Sequence, residues 1–251
     1  MDYRIEEHAD GYILFTIQRN DKRNAINFEV MNGLEEAIRR AKHSEMKCLV
    51  ITGTGNQAFC SGGDLSVFHT LHTREEAYPM LSKMANLLYA LLTFPKPTVA
   101  LMNGTAVGGG CELAVACDFR LARKGIRAGF VQGRQAITTG WGGGAILAEK
   151  LSFASSMKLL MEANIVSADV LAEIGFITEL YEDDPRRALD SFLDKMLTTN
   201  GNVLMAYKNI WINKWQATQL RERIEEEVKH CSILWESEEH HQYVANFLKK
   251  K

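Results

Sequence analysis

The chain has 251 residues, 46% of them hydrophobic, which is enough for one large domain with or without an appendage. Its 29 lysines and arginines nearly balance its 31 aspartates and glutamates, so the net charge is -2. This balance excludes the strongly basic surface with which proteins bind nucleic acid or an anionic membrane.

The cysteines and the N-terminus indicate the compartment. Five cysteines are scattered without the CxxC spacing of a zinc site, and their odd number suits a reducing compartment better than a disulfide framework. The stretch MDYRIEEHADG carries acids where a signal peptide has a basic and then an apolar segment. No run approaches the roughly 18 apolar residues of a membrane span. We therefore expect a soluble, cytoplasmic protein without a metal site.

The first half of the chain alternates strand and helix patterns. Apolar residues recur at helical spacing after Asn27, which is a suitable N-cap. Strands alternating with helices predict an α/β architecture. The predicted strands and helices are, in chain order, Tyr12–Gln18 (strand), Asn27–His43 (helix), Cys48–Gly53 (strand), Glu75–Leu92 (helix), Lys96–Met102, Phe119–Ala122 and Ala128–Val131 (strands).

Beyond Phe153 the sequence predicts mostly helix, with one strand-like break at Phe176–Tyr181. The turn signal TNGN, at residues 199–202, divides a core (1–198) from a helical C-terminal region (199–251) that serves packing and oligomerisation. The predicted helices of this half are Asp184–Thr198, Val203–Gln216 and Thr218–Leu248.

The last predicted helix has two contrasting faces. Its charged run Arg221–Glu227 (RERIEEE) predicts a solvated face. Its apolar stripe would dock on the core or on a neighbouring subunit. The stripe consists of Leu220, Ile224, Val228, Cys231 and Trp235.

Two glycine-rich turns follow predicted strands. Ala58–Leu65 reads AFCSGGDL, and Val107–Phe119 reads VGGGCELAVACDF. Exposed N–H groups of two such turns can converge on one oxygen, and such a hole suits a thioester carbonyl that becomes an enolate. Glu112, near a helix start, could then move a proton at the neighbouring carbon. Alternatively, both stretches are tight turns and Glu112 is an ordinary acid at a helix start.

Several ordered motifs together resemble the crotonase (enoyl-CoA hydratase/isomerase) superfamily. They cover residues 10–180 well and the helical tail loosely. The resemblance implies a spiral of ββα units with a helical C-terminal region, assembled as a homotrimer or a dimer of trimers. The motifs are Asp21–Asn27 (DKRNAIN), Phe59–Leu65 (FCSGGDL), Asn103–Asp118 (NGTAVGGGCELAVACD) and Ser167–Ile177 (SADVLAEIGFI).

The resemblance also implies roles for single residues. The N–H groups of Ser61 and Gly109 would hold the thioester oxygen of an acyl-CoA, and Glu112 matches the first of two catalytic glutamates of hydratases. Coenzyme A is then part of the substrate, and no further cofactor is implied. The residues expected along the acyl-CoA path are Lys22, Arg23 and Ala25 near the nucleotide, then Ser61, Gly62, Gly63, Asp64 and Leu65, with Trp141 as a wall.

One departure limits the functional prediction. In the stretch FVQGRQAITTGWGGG (Phe130–Gly144), Arg134 matches the slot of the second catalytic glutamate; Gln132 and Gln135 are nearby, but no acid is. A guanidinium cannot serve as a routine acid or base. Arg134 could instead bind a substrate carboxylate or form a surface or interface salt bridge.

Three functions therefore stay open. An acyl-CoA enzyme of the hydratase/isomerase group, with Glu112 as its acid and base, is the main prediction. A decarboxylase of a malonyl-type acyl-CoA is the first alternative. The pattern of Phe130-Val131, Ile137 and Trp141-Gly142-Gly143 in the same stretch resembles that of such enzymes. An acyl-CoA-binding protein with little turnover is the second.

Overall fold

A computed structural model describes residues 1–182 and 184–249 of the chain. Its strands are β1 (Tyr3–His8), β2 (Tyr12–Ile17), β3 (Cys48–Gly53), β4 (Ala58–Cys60), β5 (Thr98–Met102), β6 (Thr105–Val107), β7 (Phe119–Arg123), β8 (Arg127–Gly129), β9 (Val166–Ser167) and β10 (Glu179–Tyr181). Its helices are α1 (Phe28–His43), α2 (Leu65–Phe68), α3 (Arg74–Leu92), α4 (Gly109–Ala116), α5 (Gly143–Lys150), α6 (Phe153–Glu162), α7 (Ala168–Glu173), α8 (Pro185–Thr198), α9 (Gly201–Ala217), α10 (Leu220–Trp235) and α11 (Glu238–Leu248).

The strands form two sheets in which most neighbouring strands run parallel. The larger sheet has the order β1-β2-β3-β5-β7-β10, and the smaller has the order β4-β6-β8-β9. From β3 to β8, three successive steps each place one strand in the larger sheet, the next strand in the smaller sheet, and then a helix, as in β5, β6 and α4. This repeated ββα unit confirms the predicted α/β spiral.

The smaller sheet brings the two glycine-rich turns together. Strands β4 and β6 pair in parallel, with Cys60 opposite Ala106. The turn that follows β4 begins at Ser61, and the turn that follows β6 begins at Gly108. Because the carboxyl ends of neighbouring parallel strands lie at the same edge, both turns start side by side.

Local signals explain most helix starts. Asn27 caps α1, since its Oδ1 accepts the Val30 N–H at 3.0 Å. Thr73 and Glu76 form a reciprocal capping box at the start of α3, one residue before the predicted start of that helix. The predicted strands up to residue 131 are confirmed as β2, β3, β5, β7 and β8, within a few residues at their ends.

One strand was not predicted from the sequence, and one predicted helix differs from the structure. The N-terminal stretch forms the edge strand β1, antiparallel to β2; its charged residues hide the strand pattern because an edge strand exposes one side to water. The predicted helix Thr218–Leu248 is two helices, α10 and α11, which Ser237 separates by capping α11. Residues 250 and 251 of the predicted C-terminal region lie outside the described part, and its boundary at residue 199 stays a prediction.

The C-terminal helices share the main apolar core. The predicted apolar stripe of α10 is confirmed, because all five of its residues are buried. Helix α10 packs against α3 and α5. Along the described residues, no helix is long and apolar enough to cross a membrane.

The close approach of α4 to β4 depends on Gly110, and replacing this glycine tests it. A methyl group on Gly110 would overlap the backbone carbonyl of Cys60, which cannot rotate away. We expect Gly110→Ala to lower the free energy of unfolding by about 2–3 kcal/mol in urea denaturation. Gly201→Ala, at a helix start with nothing within 4 Å of the new methyl, is the control and should change stability by less than about 0.5 kcal/mol. Equal stabilities of the two variants would contradict this packing.

Candidate active site

The turn after β4 is fastened to the loop that precedes α1. The Ser61 N–H donates to the Arg23 carbonyl at 3.1 Å, and the Asp64 N–H donates to the Ile26 carbonyl at 2.9 Å. The Ile26 N–H donates in return to the Gly62 carbonyl at 2.8 Å. The prediction that the Ser61 N–H binds a thioester oxygen is therefore wrong, because this donor already has an acceptor.

Gly63 and Gly109 each carry a backbone N–H group where the two turns approach each other. In residues 1–182 and 184–249, we find no protein acceptor for the N–H of Gly63 or of Gly109. Gly109 is the first residue of α4, where a helix leaves its N–H groups unpaired. A methyl group on Gly62 would stand 3.1 Å from the Gly109 nitrogen, so the two turns are in contact.

Trp141 covers both glycines. A methyl group on Gly63 would lie 3.5 Å from Cζ2 of the Trp141 indole, and one on Gly109 would overlap the same ring. The indole is buried, with 5% of the residue exposed. The structure thus brings Gly63, Gly109 and Trp141 together. The role of Trp141 as a wall of the substrate pocket stays a prediction.

Asp64 supports this turn from inside. Its Oδ1 accepts from the Ser66 N–H at 3.0 Å and caps α2, and its Oδ2 accepts from Arg19 Nη2 at 2.7 Å. Burial alone would raise the pKa of Asp64, but the hydrogen bonds from Ser66 and Arg19 outweigh burial and lower it. Asp64 is therefore a buried structural acid, and its place along the substrate path stays a prediction.

The remaining predicted path residues lie around Ser61. Lys22 and Arg23 are exposed, and the Lys22 carbonyl accepts from Ser61 Oγ at 3.3 Å. Ala25 is buried, and its carbonyl accepts from the Arg19 guanidinium at 2.7 Å. Leu65 is half-buried at the start of α2. The structure thus places two exposed cations beside the turn.

Glu112 lies in the first turn of α4, with 2% of the residue exposed. Its Oε1 accepts from Gln132 Nε2 at 2.8 Å and from the Gly140 N–H at 3.4 Å. Its Oε2 accepts from the N–H groups of Trp141 and Gly143, both at 2.9 Å. Any side chain at position 143 would overlap Glu112. Backbone N–H groups of the turn at residues 140–143 thus surround the Glu112 carboxyl group.

The environment of Glu112 suits proton transfer. Burial raises its pKa from 4.5 to about 7, and the nearby Glu227 contributes to the rise. Hydrogen bonds from Gly143, Trp141 and Gln132 oppose it. Near neutral pH, both the protonated and the ionised form are then populated, which is the condition that general acid–base catalysis requires.

Gln132, and not Arg134, faces Glu112. Both residues lie in the short 3-10 turn Gln132–Gln135, which has three residues per turn, so positions 132 and 134 point in different directions. Arg134 is exposed, and its Nη2 donates to Asn164 Oδ1 at 2.6 Å. The match of Arg134 to the slot of the second catalytic glutamate stays a prediction; in the structure its guanidinium is held by Asn164, and Glu112 is held by Gln132. Among the described residues, the buried Oε1 of Gln132 has no hydrogen-bond partner.

Glu227 is a second acid of this region, and the sequence analysis missed it. Its Oε1 accepts from the Gly144 N–H at 3.1 Å, and its Oε2 accepts from the Ala145 N–H at 2.7 Å. The prediction of a solvated charged run on α10 is therefore wrong for Glu227. Its position three residues after Ile224 and four before Cys231 places it on the buried side of the helix, a signal that the sequence contains.

The raised pKa of Glu112 predicts a pH-dependent stability. Between pH 4.5, its ordinary pKa, and about 7, its folded pKa, the folded state binds more protons than the unfolded state, so stability falls as pH rises. Over this interval we expect the free energy of unfolding of the wild type to fall by about 3 kcal/mol. The Glu112→Gln variant should not show this fall. Urea denaturation across the interval measures the difference. Parallel pH dependence in both proteins would contradict the raised pKa.

Comparison with known proteins identifies the family to which this fold belongs. The family model described as enoyl-CoA hydratase/isomerase matches residues 7–251. The chain is 28% identical to the mitochondrial methylglutaconyl-CoA hydratase of Mus musculus over 223 residues, which are 86% of this chain and 70% of that protein. It is 35% identical to the ethylmalonyl-CoA decarboxylase of Xenopus laevis over 172 residues, 68% of this chain and 57% of that protein.

A solved structure shows the same fold. The enoyl-CoA hydratase of Bacillus halodurans superposes with a TM-score of 0.89 at 21% sequence identity, over 98% of this chain and all 100% of that chain. The oligomeric state that the resemblance implies stays a prediction. Because the family model spans nearly the whole sequence, the chain belongs to the enoyl-CoA hydratase/isomerase family.

Proposed function

We propose that the chain is an acyl-CoA enzyme of the hydratase/isomerase type. It stabilises a thioester enolate with the N–H groups of Gly63 and Gly109 and moves protons with Glu112. The observation that carries this proposal is a buried carboxyl with a pKa of about 7. It lies on the helix whose first residue, Gly109, like the nearby Gly63, has an N–H group without a protein acceptor among the described residues.

The two amides supply electrostatic stabilisation where negative charge develops. A donor aimed at an oxyanion contributes on the order of 3 kcal/mol to lowering the barrier. The start of α4, an eight-residue helix, adds a favourable partial positive charge. The Trp141 indole excludes water from this side of the site, which strengthens both effects.

One acid suffices for hydration of a 2-enoyl thioester. The water oxygen bonds to C3 while one of its protons moves to the Glu112 carboxylate. The electrons of the double bond move to the thioester oxygen, which the two amides hold. Glu112 then returns the proton to C2 and regains its starting charge. In isomerisation, the same group removes a proton from C2 and returns it to C4.

Gln132 supplies the contact that a second acid would otherwise make. Its Nε2 donates to Glu112, and its buried Oε1 has no donor among the described residues. A buried acceptor without a partner is costly. We infer that Oε1 accepts the second O–H of the attacking water, which stays on the product as its hydroxyl group. Gln132 orients the water without exchanging a proton.

The coenzyme A part of the substrate needs no additional cofactor or metal for this chemistry. Lys22 and Arg23 are exposed beside Ser61, where cationic side chains suit the phosphates of the nucleotide. Gly62 lets the first turn approach Gly109, since its φ of +89° is a conformation that other residues rarely adopt.

Decarboxylation of a malonyl-type acyl-CoA is the second candidate. The 35% identity with an ethylmalonyl-CoA decarboxylase favours it. Arg134, turned towards Asn164, would not hold the departing carboxylate in place. In this reaction the bond between C2 and the carboxylate breaks, carbon dioxide leaves, and its bonding electrons form the same enolate. Protonated Glu112 then supplies the proton at C2.

A panel of thioesters with Glu112→Gln as the comparison tests the proposed function. We expect hydration of short 2-enoyl-CoA substrates, and a loss of about 10²–10⁴-fold in kcat in the variant with little change in CoA-thioester affinity. Release of carbon dioxide from substituted malonyl-CoA, with no hydration of crotonyl-CoA, would select the decarboxylase. Tight thioester binding without turnover across the panel would select the binding protein.

The role of Gln132 is tested by Gln132→Met, with Arg134→Met as the matched control in the same 3-10 turn. Methionine has nearly the same volume but cannot accept from water or donate to Glu112. We expect Gln132→Met to lower kcat for hydration by about tenfold and Arg134→Met to leave it unchanged. Steady-state kinetics at pH 7 measure both. An equal loss in the two variants would show that only the fold of the turn matters.

A further inference from the structure

The backbone turn around Glu112 is held from two sides by two different carboxylates. Glu112, on α4, accepts from amides at one side of the turn, and Glu227, on α10, accepts from amides at the other. The donors to Glu112 are the N–H groups of Gly140, Trp141 and Gly143. The donors to Glu227 are the N–H groups of Gly144 and Ala145, with further hydrogen bonds from Gly142 and Thr139.

The position of Glu227 is fixed by packing. One turn before it, Ile224 lies against Gly142, where a methyl group would stand 2.6 Å from the isoleucine side chain. One turn after it, Cys231 lies against Gly140 at 2.7 Å by the same measure. Both neighbours are buried. Helix α10 therefore packs against the turn at two points. The Glu227 carboxylate lies between these contacts and has little freedom to move.

The side chains of Glu112 and Glu227 both lie at the start of one helix, α5. Burial raises the pKa of Glu227, against hydrogen bonds from Thr139 and the turn amides. Its charge is also a cause of the raised pKa of Glu112. The N-terminal end of α5 and the amides offset part of this negative charge.

The other ionisable groups around the pair lie on α4 and α10. Burial raises the pKa of the thiols of Cys111 and Cys231, so both stay uncharged at neutral pH. Arg223 pairs with Glu149 at 2.7 Å. On the outer side, Glu227 borders a cavity of about 540 Å³ that is also lined by Glu222, Glu226 and His230, of which Glu226 pairs with Lys229 at 2.8 Å.

We propose that Glu227 is a positioning residue for Glu112: it holds the Trp141 and Gly143 amides against the Glu112 carboxyl and places a second negative charge behind it. This inference rests on the proposed proton transfer by Glu112. Without the second charge, Glu112 would lose its proton at lower pH and would be a weaker base. The C-terminal helical region thereby contributes to the chemistry of the core.

The test measures the titration of Glu112 directly, without a substrate. The infrared carbonyl band of protonated Glu112 is identified as the band absent from Glu112→Gln, and it is followed from acidic to alkaline pH. In Glu227→Gln, we expect its midpoint to fall by about one pH unit. Glu226→Gln, which removes an exposed charge from the adjacent position of α10, is the matched control and should leave the midpoint unchanged.

Glu227→Asp is the second variant, in case glutamine disturbs the fold. Its charge lies one methylene further from the turn, so the midpoint should move in the same direction by a smaller amount. Thermal unfolding identifies which variants are folded. An unchanged midpoint in a folded Glu227→Gln protein or, should that variant not fold, in Glu227→Asp, would overturn the inference. A wild-type midpoint at the ordinary carboxyl value would overturn it without any variant.

This readout separates the inference from the proposed function. A shifted midpoint in a protein that turns over no thioester means that the coupling of the two acids exists but does not serve this reaction. Conversely, turnover that depends on Glu112, with no effect of Glu227→Gln on the midpoint, means that the proposed function stands and the positioning role fails.

Discussion

Burial of one carboxyl group sets the conditions for the rest of this site. A carboxylate removed from water is stable only when hydrogen-bond donors replace the lost solvent. Around Glu112 these donors are three backbone amides and one neutral side chain, Gln132. Among the described residues no cation is one of these donors, and burial keeps the pKa of the carboxyl at about 7. A paired lysine or arginine would have held it ionised and made it a poor proton donor.

Backbone amides can serve in this way only where side chains are absent, which explains the many glycines. Gly143 allows the turn to reach Glu112, Gly110 allows α4 to reach β4, and Gly109 lies directly under Trp141. Each is a place where two backbones, or a backbone and a functional side chain, touch. The glycine clusters therefore mark contacts between elements that are distant in the sequence, in addition to turns within one element.

This also explains what the sequence could and could not predict. The alternation of strands and helices, the Asn27 cap and the meeting of two glycine turns near Glu112 are encoded locally and were predictable. The loop before α1 accepts a hydrogen bond from the Ser61 N–H and none from the Gly63 N–H. The conformation of this loop therefore determines which N–H group of the first turn has no acceptor. The choice between Gln132 and Arg134 depends on the phase of a single 3-10 turn. The spacing of Glu227 from Ile224 and Cys231 marks the buried side of α10, but its contacts with the Gly144 and Ala145 amides depend on how α10 packs.

Glu112 is the carboxyl group on the helix that begins at Gly109, and its starting protonation state separates the candidate reactions. Hydration begins with a base, so it uses the ionised form, and the same group becomes the acid later. Decarboxylation needs no base and ends with a proton donor, so it uses the protonated form from the start. A pKa of about 7 populates both forms at neutral pH. The negative charge of Glu227 shifts this balance towards the protonated form, so the C-terminal helix α10 affects which chemistry the core can perform.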